Sequence, residues 1–376
     1  TQPFEAGLKR EREEFMACLA DPQSAALRHM FFAERAAGKI DSLPKDTKAL
    51  DIASVGIIGA GTMGGGIAMC FAQAGIKVTL IDMTDEAVKL GLEKIAKNYA
   101  ISVKRGRLTA DQTDAIMANM TTSSNFNDLA HVDMVIEAVF ENLEVKKDVF
   151  AKLDGICKPG AVLASNTSYQ SIDAIAAATT RPESVLGMHF FSPANVMKLL
   201  EVVKGAASSD TVIATAMAVG KKIGKVSVLS GMCYGFIGNR MLRHYGREAS
   251  LCLIEGSTPS QIDSAMESWG MAMGPLAVSD LAGLDIGYKA REQLSAEQKG
   301  DPASYRVADR LVEAGRLGQK SGAGYYQYDP ETRQRQEDPA VMAIVNEARR
   351  ELGITPRQFD DEEIVNRLTL ALANEG

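Results

Sequence analysis

The 376 residues include 41 lysines and arginines against 48 aspartates and glutamates, which gives a formal net charge of −7. This acidic balance argues against nucleic acid as the main partner, and no apolar stretch approaches the ~20 residues of a membrane-spanning helix. The length exceeds what one hydrophobic core usually serves, so we expect at least two domains. The five cysteines are scattered and form no CxxC pair, which predicts a reduced cytoplasmic location and no metal site.

Residues 1–52 are predicted to form a helical linker. Apolar side chains recur at spacings of three, four and seven residues between Phe4 and Phe32. This apolar stripe is too large for so short a segment to bury by itself, so we expect it to pack on another part of the protein.

Apolar strands alternate with helical segments between residues 53 and 230. Continuous apolar runs are typical of strands that are covered on both faces. Their alternation with helices predicts an α/β domain with a mostly parallel, doubly wound sheet of the Rossmann type. The predicted strands are Val55–Gly59, Lys77–Asp82, Val132–Val139, Ala161–Asn166, Val185–Phe190, Leu199–Val203 and Lys225–Leu229.

The pattern becomes helical after residue 230. Residues 231–328 lack strong strand signals, and glycines and prolines separate their helices, which predicts an all-α domain. A polar stretch then leads to a final apolar helix, in which IVNR at 364–367 echoes IGNR at 237–240. We therefore expect residues 329–376 to be a linker and the start of a second, truncated helical domain, with the final helix lying on the helical domain before it or on another chain.

The stretch VGIIGAGTMGGGIA, residues 55–68, places glycines between a predicted strand and a predicted helix. Gly59 permits a tight turn, Gly61 lets the backbone approach a pyrophosphate, and Gly64 lets the helix pack closely on the strand. The N-terminus of the helix presents free N–H groups to the phosphates. The turn is therefore predicted to bind a dinucleotide, the alternative being a strand-to-helix corner without a ligand.

Asp82 ends the second predicted strand, eighteen residues after Gly64. Its carboxylate can accept hydrogen bonds from both ribose hydroxyls and would repel a 2′-phosphate. This position predicts NAD rather than NADP as the cofactor. The alternative is an ordinary turn residue at the end of a strand.

One histidine, His189, ends an apolar predicted strand, and Glu201 lies within the next one. Parallel α/β sheets bind ligands at the ends of their strands, and an acidic group in an apolar run is costly unless it is paired. A His–Glu pair would form a general base with its imidazolium form stabilised by the carboxylate. A core histidine and a strand-edge glutamate are the alternative.

Two further polar groups lie near the predicted strand ends, and the residues alone leave their roles open. The cluster Ser165, Asn166, Thr167 and Ser168 can bind a substrate oxygen or cap the following helix. Asn239, in the stretch GFIGNR, can face a cleft or be an ordinary polar residue of a helix.

These motifs together resemble the L-3-hydroxyacyl-CoA dehydrogenase family over residues 53–328. The resemblance implies an NAD-binding domain, a helical domain that closes the substrate cleft, and NAD-dependent oxidation of L-3-hydroxyacyl-CoA to 3-ketoacyl-CoA in fatty acid β-oxidation. The stretches that carry it are GIIGAGTMGGGIA, VIEAVFENLEVKKDVF, ASNTS, GMHFFSPANVMKLLEVV, GFIGNR, MGPLAVSDLAGLDI and GRLGQKSGAGYYQY.

Residue by residue, the resemblance implies a catalytic pair of His189, as general base, and Glu201, with substrate contacts at Ser168 and Asn239. Short single-function members carry an asparagine after HFF, where this chain has Ser192; HFFSPA is the form of the multifunctional fatty acid oxidation enzymes. The implied cofactor contacts are Gly59, Gly61, Thr62, Met63, Gly64, Asp82, Glu141 and Lys146.

The two ends also resemble parts of bifunctional enzymes. Residues 4–40 are similar to the helix that joins an enoyl-CoA hydratase domain to the dehydrogenase, and the tail is similar to the first helix of a second C-terminal domain. We therefore expect the dehydrogenase part of a bifunctional enoyl-CoA hydratase/3-hydroxyacyl-CoA dehydrogenase, truncated at both ends. A thiolase subunit or a second copy of the chain is the expected partner of the full-length enzyme.

Two other functions remain open. A dehydrogenase for another β-hydroxy acid, such as 6-phosphogluconate or 3-hydroxyisobutyrate, would use a lysine in the helical domain, which no motif here suggests. The second is a non-catalytic NAD-binding scaffold, against which the pair of His189 and Glu201 argues.

Overall fold

The computed structural model describes residues 3–292 and 294–376, which belong to two compact units. The first ends at Phe236 and the second begins at Ile237. Among the described residues, no helix is both long and apolar enough to cross a membrane. Within the same residues, no group of three or more histidine, cysteine, aspartate or glutamate side chains is arranged to hold a metal ion.

The first unit consists of a single sheet with helices on both faces, preceded by two N-terminal helices. Its strands are β1 Ser54–Ile58, β2 Lys77–Ile81, β3 Met120–Ser123, β4 Met134–Glu137, β5 Val162–Ser165, β6 Val185–Phe190, β7 Leu199–Val203 and β8 Val226–Ser230. Its helices are α1 Phe4–Ala20, α2 Pro22–Ala37, α3 Thr62–Gln73, α4 Asp85–Lys104, α5 Ala110–Met117, α6 Leu143–Ile156, α7 Ile172–Ala176 and α8 Asp210–Lys222.

The strand order of the sheet is β3-β2-β1-β4-β5-β6-β7-β8. Neighbouring strands from β3 to β6 are parallel, β7 is antiparallel to β6, and β8 is parallel to β7. This arrangement confirms the predicted doubly wound, mostly parallel sheet. The chain reverses its direction across the sheet between β1 and β4, and such a switch point is where ligands bind at the carboxyl ends of the strands.

One strand, β3, was absent from the prediction. Its sequence MTTS is partly exposed, and it pairs only with β2 at the edge of the sheet. An edge strand with one neighbour does not need the continuous apolar run that marks the central strands, so its sequence carries a weaker signal.

The N-terminal helices differ from the expectation that their apolar stripe would be covered. Neither α1 nor α2 contains a buried residue. The large apolar side chains remain exposed, among them Phe4, Phe15 and Phe32, which are 63–77% exposed. The helical prediction for this segment agrees with the structure, and α2 lies beside β8, but the apolar side chains of the two helices are not covered.

Over its described residues the second unit is mainly helical, with a short antiparallel ladder that the predicted all-α domain did not include. Its strands are β9 Gln327–Tyr328 and β10 Arg335–Gln336. Its helices are α9 Gly238–Glu255, α10 Pro259–Trp269, α11 Pro275–Ala282, α12 Leu284–Glu292, α13 Ala296–Lys299, α14 Arg306–Glu313, α15 Pro339–Leu352 and α16 Asp361–Glu375.

The C-terminal tail is part of the core of this unit, whereas the sequence placed a domain boundary at Asp329. Ile364 and Leu368 of α16 are buried in the same apolar cluster as residues of α9 and α10. Arg367 adds ion pairs to Glu248 at 2.9 Å and Glu255 at 2.8 Å. The tail is therefore held to the helices before it by both apolar and charged contacts.

Two buried carboxylates hold backbone segments of the second unit in place. Asp263 accepts hydrogen bonds from the backbone N–H groups of Leu276 and Ala277, at the start of α11. Asp280 accepts from the backbone N–H groups of Tyr325 and Tyr326, and burial raises the pKa of Asp280 to about 6. The two carboxylates therefore satisfy buried backbone N–H groups at the start of α11 and just before β9.

Candidate functional site

The glycine turn after β1 has no room for a side chain at Gly59 or Gly64. Gly59 has a φ of +100°, and a Cβ atom at Gly64 would lie 1.7 Å from the carbonyl oxygen of Gly59. By contrast, a Cβ at Gly61 would meet open space. No side chain caps the N-terminus of α3, so its first N–H groups are available to an anion. The turn therefore fits the pyrophosphate of a dinucleotide.

Asp82 lies beside this turn, directly after β2. Its Oδ2 accepts a hydrogen bond from the backbone N–H of Ala60, and its Oδ1 accepts one from that of Met83, each at 2.7 Å. A carboxylate oxygen has a second lone pair, so both oxygens can still accept hydrogen bonds from ribose hydroxyls. The structure thus gives Asp82 a backbone role that is compatible with the predicted contact to NAD.

His189 and Glu201 lie opposite each other on the antiparallel strands β6 and β7. Side chains at such paired positions share one face of the sheet. The two atoms Nδ1 of His189 and Oε2 of Glu201 are 2.6 Å apart, and the side chains are almost fully buried. On the other side of the ring, His189 Nε2 lies 3.1 Å from the Oγ of Ser168. The structure brings these three predicted residues together.

The hydrogen bonds determine which ring nitrogen of His189 can act as a base. A carboxylate only accepts hydrogen bonds, so Nδ1 carries the proton that is donated to Glu201. Nε2 is then the acceptor, directed at Ser168. The rings of Phe191 and Phe236 lie 4.6 Å and 5.7 Å from the imidazole. A basic nitrogen in apolar surroundings can take a proton from a hydroxyl held beside it.

A second cluster of charges surrounds Lys146, which is only 1% exposed. Its Nζ lies 2.8 Å from the Oε1 of Glu137 and 3.2 Å from the Oε2 of Glu141. Glu137 is fully buried, and it also accepts hydrogen bonds from the hydroxyl of Ser165 and the backbone N–H of Val139. The predicted contacts Glu141 and Lys146 therefore belong to one ion-paired group.

Glu141 connects this group to the turn that carries Ser168. Its Oε1 accepts hydrogen bonds from the Thr167 hydroxyl, from the backbone N–H of Ser168 at 3.0 Å, and from that of Tyr169 at 3.2 Å. The polar cluster after β5 thus forms a turn tied to a carboxylate, with the Ser168 hydroxyl directed at His189.

Asn166, the remaining member of the polar cluster, and the neighbouring Tyr169 also make defined contacts. The side-chain oxygen of Asn166 accepts a hydrogen bond from the backbone N–H of Phe190 at 2.8 Å, which links the ends of β5 and β6. The ring of Tyr169 lies 5.0 Å from that of Tyr234. Burial raises the pKa of Tyr169, with Tyr234 and Glu141 adding to the effect.

The predicted contact Asn239, and Ser192 where short family members carry an asparagine, are not brought into this group by the contacts of the first unit. Asn239 lies in the first turn of α9, in the second unit, and is half-buried. Ser192 is exposed just after β6. The predicted substrate contact of Asn239 stays a prediction.

Glu137 is the residue of this site that sequence reasoning missed. It ends the apolar run MVIE of β4, with all four residues buried. The argument that identified Glu201, an acidic group inside an apolar strand, applies equally to Glu137. The signal was therefore present in the sequence, but its partner Lys146 lies on a different element.

Comparisons with known proteins give matches along most of the chain. Residues 54–233 match the family described as "3-hydroxyacyl-CoA dehydrogenase, NAD binding domain", and residues 235–328 match "3-hydroxyacyl-CoA dehydrogenase, C-terminal domain". Among curated proteins, the chain is 43% identical over 389 residues to a peroxisomal bifunctional enzyme of Cavia porcellus. That alignment covers 99% of this chain and 53% of the relative, so the chain spans about half the length of the curated relatives it matches.

Two solved structures are similar over most of the chain. One is (S)-3-hydroxybutyryl-CoA dehydrogenase from Ralstonia eutropha, with a TM-score of 0.69 and 37% identity, covering 74% of this chain and 100% of that protein. The other is the dehydrogenase part of a multifunctional enzyme from C. elegans, with a TM-score of 0.68 and 31% identity. The latter match covers 92% of this chain and 79% of that one.

Proposed function

Because the chain belongs to the 3-hydroxyacyl-CoA dehydrogenase family, we propose that it oxidises an L-3-hydroxyacyl-CoA to the 3-ketoacyl-CoA with NAD, in fatty acid β-oxidation. The observation that carries this proposal is the placement of His189 between Glu201 and Ser168. This base lies on β6, in the same sheet as β1, and β1 leads into the glycine turn that fits a dinucleotide. An acyl-CoA is the substrate class that the family implies.

In the proposed reaction, His189 Nε2 removes the proton of the 3-hydroxyl group, and the oxygen forms a carbonyl as the C3–H bond breaks. Glu201 stabilises the imidazolium that results, since its Oε2 lies 2.6 Å from the protonated Nδ1. With substrate bound, the Ser168 hydroxyl donates to the reacting oxygen instead of to Nε2, which leaves Nε2 free to accept the proton of the 3-hydroxyl group. Bound NAD supplies the acceptor for the hydride that leaves C3.

The proposed cofactor contacts include both backbone groups and side chains. The backbone from Gly59 through Thr62 and Met63 to Gly64 would bind the phosphates, and Asp82 would bind the adenosine ribose. Glu141 is 38% exposed and can reach a bound cofactor, whereas Lys146 is almost fully covered by protein. Direct contact of Lys146 with NAD therefore stays a prediction.

The first test is the reaction itself. The protein should oxidise NADH when acetoacetyl-CoA is added and reduce NAD with L-3-hydroxybutyryl-CoA, followed at the absorbance of NADH. 6-Phosphogluconate and 3-hydroxyisobutyrate serve as controls for the rival dehydrogenases. The proposed activity is wrong if a control acid is turned over and the acyl-CoA substrates are not. It is also wrong if the protein binds NADH but turns over none of these compounds.

Cofactor preference tests the assignment of Asp82. The protein should bind NADH more tightly than NADPH, and Asp82→Ala should reduce that preference about tenfold or more, because hydrogen bonds to a charged group contribute about 1.5–3 kcal/mol. Fluorescence titration with both cofactors measures it, with Asp85→Ala in the exposed first turn of α4 as the matched control. Equal affinities of the unaltered protein for NADH and NADPH would contradict the assignment.

The pathway and the partner of the protein are proposed from its relatives. The family and its bifunctional relatives support a role in fatty acid oxidation, with a thiolase subunit or a second copy of the chain as a proposed partner. The cytoplasmic location stays a prediction, since several curated relatives are named as peroxisomal.

A further inference from the structure

We propose that Glu137 is a positioning residue for the reaction, which fixes the turn of Ser168 and thereby the hydrogen bond between Ser168 and His189. Glu137 is fully buried and touches neither His189 nor Ser168 directly in the contacts described above. The inference rests on the proposed function, because the positioned group is the proposed base.

The first connection runs through the end of β5. The Ser165 hydroxyl donates to Glu137 Oε2 at 2.7 Å, and its oxygen accepts from the backbone N–H of Thr167 at 3.3 Å. Ser165 also stands opposite Glu137 in the register of β4 and β5. Glu137 thereby holds the strand end from which the turn of Ser168 starts.

The second connection runs through α6. Glu137 Oε1 pairs with Lys146 Nζ at 2.8 Å, and the same ammonium group pairs with Glu141 Oε2 at 3.2 Å. The other oxygen of Glu141 accepts the backbone N–H of Ser168 at 3.0 Å. A single lysine thus holds the carboxylate that binds the turn from its other side.

The two connections leave from different oxygens of Glu137 and meet on residues 165–168. A buried carboxylate paired with a buried ammonium group has few alternative arrangements, because an unpaired charge in that position is costly. Both ends of the turn are therefore fixed by one side chain. We infer that Glu137 limits how far the Ser168 hydroxyl can move from Nε2 of His189.

The test is the isosteric variant Glu137→Gln, which keeps the shape of the side chain but removes its charge. A glutamine has one acceptor oxygen, so it cannot accept from Ser165 and Lys146 in the same way. We expect kcat with acetoacetyl-CoA to fall about 10- to 100-fold, with the KM values for acetoacetyl-CoA and NADH within about threefold, since small misplacement acts on the chemical step.

Two controls separate positioning from stability. Met134→Ala opens a cavity at a buried residue of the same strand, on the sheet face opposite to Glu137, so it should lower Tm by as much or more while kcat is kept. Glu144→Gln removes an exposed carboxylate of α6 and should change neither Tm nor kcat. The proposal is overturned if Glu137→Gln keeps its kcat, if it changes only the KM for NADH, or if Met134→Ala loses as much kcat.

A readout without turnover keeps this test apart from the proposed function. The ring nitrogens of the four histidines can be followed by NMR, with His189→Gln assigning one of them. In Glu137→Gln the His189 Nε2 resonance should shift in the same direction as in Ser168→Ala, and in Glu144→Gln it should stay unchanged. An unmoved resonance overturns the positioning role, whereas absent turnover in the unaltered protein contradicts only the proposed activity.

Discussion

His189→Gln is expected to lower kcat for acetoacetyl-CoA reduction by ~10²–10⁴-fold, the usual contribution of a positioned acid–base group. The imidazole exchanges a proton with the substrate oxygen in the chemical step, whereas glutamine has no group that can do so. Binding should change much less, because the site keeps Ser168 and the glycine turn. Steady-state kinetics and NADH titration measure the two effects separately.

The matched control for this variant is His131→Gln, since His131 is an exposed histidine of the same unit. It should keep the kcat and the NADH affinity of the unaltered protein. Near-normal kcat in His189→Gln would show that the base is another group. A loss of NADH affinity as large as the loss of kcat would instead indicate that the imidazole shapes the cofactor site.

The elements that could be predicted are those whose signal is local. The glycine turn is such a case, since the positive φ of Gly59 and the close approach of Gly64 to the Gly59 carbonyl lie within one turn of chain. The central strands were found because burial on both faces demands continuous apolar residues. The pairing of His189 with Glu201 followed from the cost of an unpaired buried acid.

The features that escaped prediction depend on contacts between distant elements. Nothing in the local sequence says that Lys146 of α6 reaches Glu137 of β4. The short strand β3 was missed because an edge position lowers the demand for apolar residues. The resemblance implied Glu141 as a cofactor contact, but its hydrogen bond to the Ser168 turn required the folded sheet.

The C-terminal tail shows the same limit for helices. Periodicity predicted an apolar face on the last helix, but the surface that covers such a face is not encoded in the periodicity. In the structure that surface is provided by the second unit itself, chiefly α9 and α10. Whether the tail contributes to the stability of that unit can be measured directly.

Leu368→Ala is expected to destabilise the second unit by about 2–5 kcal/mol, whereas Leu370→Ala should change its stability by less than about 0.5 kcal/mol. Both leucines lie on α16 and the substitution is the same, so the contribution of helix propensity is matched. They differ in burial: Leu368 is fully buried in the core, and Leu370 is 56% exposed. The difference between the two variants therefore isolates the packing of this helix on the unit.

The chain contains a single tryptophan, Trp269 at the end of α10, which belongs to the same unit. Its fluorescence during urea unfolding therefore follows the second unit, and the shift of the midpoint gives the change in stability. NADH affinity should stay unchanged in both variants, because the glycine turn and Asp82 belong to the first unit. Equal midpoints for Leu368→Ala and Leu370→Ala would mean that α16 adds little to this core, and the boundary predicted at Asp329 would then describe the chain better than a single compact unit.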